Sequence, residues 1–181
     1  MLDLEGKRVV VLVEQQYQEL EVWYPVYRLR EAGAEVVLVG PEEGKTYPSK
    51  LGYPAKSEQS AADCSAEDYD AVVIPGGFAP DYLRRSAFVL DFVRDMAEQG
   101  KVVAAICHGA SVLCSTPALK GRRATSFFAI KDDVHNAGAD WVDEPVVRDG
   151  NIITSRTPDD LPMFCRTIIE AVLELTPVSV R

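Results

Sequence analysis

Cys107, His108 and Gly109 follow directly on the apolar run VVAAI at 102 to 106, so a thiol, an imidazole and a residue without a side chain share one corner of the chain. A strand that turns there at once into a helix forms a nucleophile elbow, with Cys in the place of Ser and Gly109 relieving crowding at the bend. A free thiol titrates at about 8.5, and a helix N-terminus favours its ionised form, so the position predicts a sulfur substantially ionised near neutral pH. An ionised thiol is a strong nucleophile. A strand end is also an ordinary place for an unreactive buried cysteine, and the pattern alone leaves both readings open.

The groups that could assist such a sulfur are few. Glu14, Glu19 and Glu21 compete for an acidic role after the first apolar run. Glu14 reads as solvated and Glu19 as a first-turn helix residue, whereas Glu21 adjoins Val22 and Trp23, where burial would raise its pKa and let it donate a proton. Gly76 and Gly77, and the bend at His108, would let backbone N–H groups approach a developing oxyanion. Consecutive side chains usually diverge, so His108 need not face Cys107. His135 beside Asn136 reads as a surface or capping residue. Cys64, Cys114 and Cys165 read as packing or surface residues. Two histidines without a cluster at ligand spacing predict no metal site, and the absence of a P-loop or G-x-G-x-x-G predicts no nucleotide cofactor.

These groups need a scaffold, and the patterning supplies one. RVVVLV at 8 to 13, EVVLVG at 35 to 40, YDAVVIPGG at 69 to 77 and KVVAAICHGA at 101 to 110 read as buried strands. Helices are predicted over 19 to 33 and 87 to 99, each closed by a glycine, and then over SVLCS, 127 to 138 and 161 to 175. The excursion from Gly44 to Pro54 reads as a small hairpin or loop, and VVRDGNIITS at 146 to 155 as a hairpin turning at Asp149-Gly150. Alternating strands and helices specify a mostly parallel sheet covered on both faces, with ligands beyond the carboxyl ends of the strands. Three loops belong there: EQQYQELE at 14 to 21, PGGFAPD at 75 to 81 and CHGA at 107 to 110.

The 181 residues suit one domain over 1–181, and 47% hydrophobic with 26% charged residues excludes disordered and membrane-spanning classes. A net charge of −9 opposes nucleic acid and anionic membrane surfaces as partners. MLDLEGKR lacks the pattern of a secretory leader, and four cysteines without C-x-x-C spacing suit reduced thiols, so a cytoplasmic setting is expected.

VVIPGG at 72 to 77, AAICHGA at 104 to 110, LKGRRATS at 119 to 126, IKDDVHNAGADWVD at 130 to 143 and DGNIITSRTPDDLP at 149 to 162 resemble, in order and spacing, the ThiJ/PfpI superfamily. The resemblance is to its PfpI-type intracellular protease or general stress protein branch. It implies an α/β, flavodoxin-like three-layer sandwich related to class I glutamine amidotransferases, and self-association as a homodimer or a hexamer of dimers. It further implies Cys107 as nucleophile, Glu21 as the carboxyl group hydrogen-bonded to it, and His108 as the adjoining histidine. The acid that orients that histidine, supplied by a neighbouring subunit, corresponds to Asp81, where the family pattern has Glu. Gln18 stands where a second acid is frequent and Ala110 where proline is common.

The function this resemblance implies is a stress-response enzyme acting on reactive carbonyls, as a glyoxalase or protein deglycase, with small carbonyl compounds or modified proteins as substrates. Two alternatives stand beside it: a PfpI-type cysteine peptidase, and a sensor or chaperone in which Cys107 oxidises without turnover.

Overall fold

The computed structural model describes residues 4–175. Strand β1 (Arg8–Leu12) shows why the sheet needs two covers: Val9 and Val11 pack into one apolar cluster, Val10 and Leu12 into the other. Successive side chains of a strand leave on opposite faces, so a continuous apolar run can be buried only between two layers.

Helix α1 (Glu19–Glu31) follows, capped by the Gln18 side chain, which accepts the N–H of Glu21. Strand β2 (Glu35–Gly40) leads into a hairpin of β3 (Thr46–Pro48) and β4 (Pro54–Lys56), which resolves the open reading of that excursion. A short strand β5 (Gln59–Ser60) precedes β6 (Ala71–Ile74). After β6 come α2 (Ala79–Leu83), a one-turn helix the periodicity did not show, and α3 (Ala87–Glu98). Strand β7 (Val102–Ile106) ends at Cys107, and α4 (Ala110–Cys114) starts three residues later.

The remaining elements depart more from expectation. Strands β8 (Arg123–Ala124) and β9 (Asp140–Trp141) pair with each other, and two residues are too few to leave a period. The helix expected over 127 to 138 is a 3-10 turn, Phe128–Ile130, running into α5 (Lys131–Asn136); Phe127 stays outside it, and its N–H donates to the Cys107 carbonyl at 3.2 Å. In the hairpin of β10 (Val146–Asp149) and β11 (Ile152–Ser155), Asp149 pairs with Ile152, so the turn is Gly150-Asn151, one residue beyond the expected position. Gly150 supplies the positive φ of 61°. Helix α6 (Leu161–Glu174) closes the chain.

The seven-stranded sheet has the order β10-β11-β7-β6-β1-β2-β5 and is parallel except for β10 against β11. Val22 and Leu29 of α1 join Phe164 and Ile168 of α6 on one face, while Phe92 and Met96 of α3 join Leu113 of α4 on the other. This is the α/β flavodoxin-like, class I glutamine amidotransferase-like fold. The connection from β1 runs outward to β2, whereas β6 and β7 lie on its other side. The crevice at this reversal is where an open parallel sheet receives ligands. No helix of the described residues is long and apolar enough to cross a membrane.

Candidate active site

The ends of β1, β6 and β7 and the first turn of α1 converge at Cys107. Its backbone has φ of 59°, one of two positive values at non-glycine residues among the described residues, the other being Gln16. Such a conformation is strained for an L side chain and is the signature of the elbow. Gly109 makes the bend possible, because a Cβ there would collide with the Ile74 carbonyl oxygen. Gly76 is equally constrained: a Cβ would lie 2.6 Å from Glu21 Oε2 and 2.8 Å from Cys107 Cβ.

Glu21 is fully buried. Oε2 accepts the Gly76 N–H at 2.7 Å, while Oε1 has no hydrogen-bond partner among the described residues. The expected oxyanion role of Gly76 is therefore corrected: its N–H is committed to Glu21. The N–H groups of His108 and Gly77 instead act on the Cys107 sulfur. Burial raises the Glu21 carboxyl to about 7, against the Gly76 hydrogen bond and the Cys107 thiol. The expectation that burial would raise this acid agrees with that direction.

The expectation of a freely ionised sulfur does not. Cys107 is 9% exposed. Burial, followed by the charge of Glu21, pushes its thiol up to about 12, although the His108 and Gly77 amides pull the other way. Desolvation and the buried neighbouring carboxylate outweigh the pull of the helix terminus on this thiol. Two negative charges are not accommodated together, so Glu21 and Cys107 behave as one unit holding a proton between them.

His108 does face the sulfur, contrary to the divergence expected of neighbouring side chains: its Nδ1 lies 3.4 Å from Cys107 Sγ. The sharp elbow brings the two together. The ring stacks on Phe127 with centroids 4.9 Å apart. Burial lowers the His108 pKa, Asp81 of the same chain opposes this, and Lys50 reinforces it. Asp81 thus acts on His108 from α2 through its charge. Glu14, expected to be solvated, is buried and accepts the N–H of Gln15 at 2.7 Å. His135 is exposed, as read from the sequence.

A cavity of about 260 Å³ opens onto this group, lined by Cys107, His108 and Glu21 together with Lys50, Phe78 and Phe127. Phe78 belongs to the 75 to 81 loop expected there, whereas Lys50 and Phe127 lie outside the expected loops. Lys50 belongs to the excursion whose pattern suits a small hairpin or loop, and Phe127 to a stretch whose pattern suits a helix; neither position carries a local signal of a site. Thr157 and Pro158 complete the rim.

A strained cysteine beside a buried glutamate at the carboxyl edge of a parallel sheet defines an elbow-type protein of the flavodoxin-like class. The chain belongs to the DJ-1/PfpI family, whose sequence profile matches residues 7–171. It is 40% identical over 163 residues to General stress protein 18 of Bacillus subtilis (strain 168), covering 89% of this chain and 95% of that one. Protein/nucleic acid deglycase 2 of Escherichia coli (strain K12) is likewise 40% identical over 163 residues, covering 89% of this chain and 95% of its own length. The crystal structure of Drosophila melanogaster DJ-1beta superposes with a TM-score of 0.85 at 30% identity, covering 93% of this chain and 94% of that one.

Proposed function

We propose that this protein is a stress-response enzyme that uses Cys107 to act on reactive carbonyls, in the manner of a glyoxalase or protein deglycase. The observation that carries the reading is the Glu21–Cys107 unit: an acid raised to about 7 beside a strained thiol, at the wall of a small cavity. The deglycase name of one relative and the stress-protein name of another support the same class.

The proton held between the pair supplies the chemistry. With the proton on Glu21, the sulfur is a thiolate that adds to an aldehyde carbon such as that of methylglyoxal, forming a carbon–sulfur bond. The aldehyde oxygen takes the Glu21 proton and becomes the hydroxyl of a hemithioacetal. The N–H groups of Gly77 and His108, which act on the Cys107 sulfur, would be drawn to that oxygen as the sulfur's charge passes to it. Glu21, now ionised, or neutral His108 then removes the proton from the former aldehyde carbon, and its return to the adjacent carbon gives a thioester that water hydrolyses to lactate. A carbonyl adduct on a protein side chain would be opened by the same addition.

The experiment is lactate formation from methylglyoxal by purified protein, with Cys107→Ala as control. Production that disappears in the variant is expected, and equal activity in the variant refutes the proposal. The peptidase alternative, in which Asp81 of a neighbouring subunit would orient His108, draws on a relative from Bacillus subtilis (strain 168) named a putative cysteine protease. Peptide cleavage that requires His108 and Asp81 would favour it.

A further inference from the structure

The cavity at Cys107 is lined by one lysine, Lys50. Lys50 lines the cavity from the turn between β3 and β4, and its ammonium lies 5.9 Å from the centre of the Phe78 ring, another wall of the same space. Among the described residues it forms no salt bridge with a carboxylate, and the carboxylates its charge reaches are Glu19 and Glu21. Its charge reaches both Glu21 and His108.

The turn that presents Lys50 is held on both sides. Glu19 accepts hydrogen bonds from the Ser49 hydroxyl and, at 2.8 Å, from the Leu51 N–H. The Lys50 N–H donates to the Tyr17 carbonyl at 2.9 Å, and Ser49 N–H to the Tyr53 carbonyl at 2.9 Å. The first turn of α1 therefore fixes two things together: Glu21 directly, and, through Glu19, the backbone from which Lys50 projects. A flexible surface lysine would need no such anchorage.

We propose that Lys50 is a specificity-determining residue, selecting carbonyl substrates that carry a carboxylate close to the reacting carbon. An anionic group entering the cavity meets an ammonium that forms no salt bridge among the described residues, while the proton shared by Glu21 and Cys107 limits that unit to one negative charge. Cationic adducts are disfavoured by the same field. The inference rests on the reactive-carbonyl reading only for the identity of the reaction; the charge preference belongs to the cavity itself.

Two arms test it. In the first, Cys107 is alkylated with iodoacetate or with neutral iodoacetamide; in both, a sulfur–carbon bond forms and iodide leaves, so the two reagents differ in charge. The ratio of the two rate constants at the Cys107 peptide, read by mass spectrometry, cancels any change in thiol reactivity. In Lys50→Met the ratio should fall about fivefold toward the neutral reagent, and further in Lys50→Glu, as expected for one partly screened charge a few ångströms away. High salt should compress the difference. A ratio unchanged in Lys50→Met, or a Cys107 reached by neither reagent, overturns the proposal.

In the second arm, kcat/KM is compared for phenylglyoxal and 4-carboxyphenylglyoxal. The preference for the carboxylated compound should shrink by a similar factor in Lys50→Met. Equal losses on both compounds overturn the assignment. If the wild-type protein turns over neither, the reactive-carbonyl reading fails, and the alkylation ratio still decides the role of Lys50.

Discussion

Glu21 Oε2 accepts the Gly76 N–H at 2.7 Å across 55 positions of sequence, while the carboxyl group's other oxygen has no hydrogen-bond partner among the described residues. The backbone of one loop thereby fixes the plane of the carboxyl group and leaves one side of it to the thiol. Much of the site's behaviour follows from this arrangement.

The buried carboxyl group links stability to pH. Its pKa is about 7 in the folded protein against an ordinary 4.5. The fold therefore favours the protonated form: the contribution is complete below about pH 4.5 and lost as pH rises through about 7, a swing of about 3 kcal/mol for a group without exposure. Glu21→Gln cannot ionise, so its stability relative to wild type should increase across that window. Urea unfolding of both proteins at acid and neutral pH measures the difference, and a constant gap contradicts this account.

Activity should show the same unit from the other side. The pair is competent when it holds one proton, a state that appears as pH rises through about 7 and persists toward the alkaline region set by the thiol, near 12. The kcat/KM profile for methylglyoxal should rise with an apparent pKa near 7. In Glu21→Gln that limb should move alkaline, because only the buried thiol is left to titrate. A profile unaltered by the substitution would remove Glu21 from the proton path.

Gly76→Ala tests the close approach. The added methyl group would sit 2.6 Å from Glu21 Oε2 and 2.8 Å from Cys107 Cβ, both held by backbone. Overpacking of this kind costs about 1–3 kcal/mol, so the melting temperature should drop by several degrees and lactate formation at least about tenfold. Wild-type stability and rate in this variant would show that the spacing is looser than described.

Phe127 holds the His108 ring by stacking at 4.9 Å. Aromatic pairs contribute about 0.5–1.5 kcal/mol, so Phe127→Ala should lower kcat by about three- to tenfold through loss of ring orientation. Phe127→Tyr, which keeps the stack, should restore most of it. Failure of the tyrosine variant to recover would assign Phe127 to substrate contact instead.

The amino-acid sequence by itself determined the scaffold. VVVL at 9 to 12 and VVAAI at 102 to 106 are apolar on both faces, a pattern that only a covered parallel sheet satisfies, and the ICHG corner marks an elbow because strand and helix signals meet there without a linker. Local residue types carry that information. Proton ownership is different, because it depends on water and charge arriving from distant segments. The sequence read Cys107 from its helix end and predicted an ionised sulfur; the tertiary structure surrounds it with apolar walls and a buried carboxylate and pushes it up. Likewise Glu21 was distinguished from Glu14 and Glu19 by its apolar neighbours, but Gly76, 55 residues away, orients it. Lys50 and Phe127 enter the cavity through the Glu19–Leu51 and Phe127–Cys107 hydrogen bonds, contacts between segments whose local patterns are those of a plain loop and a helix. Secondary structure follows from short-range spacing, whereas electrostatics follows from what long-range packing brings within a few ångströms and what it excludes.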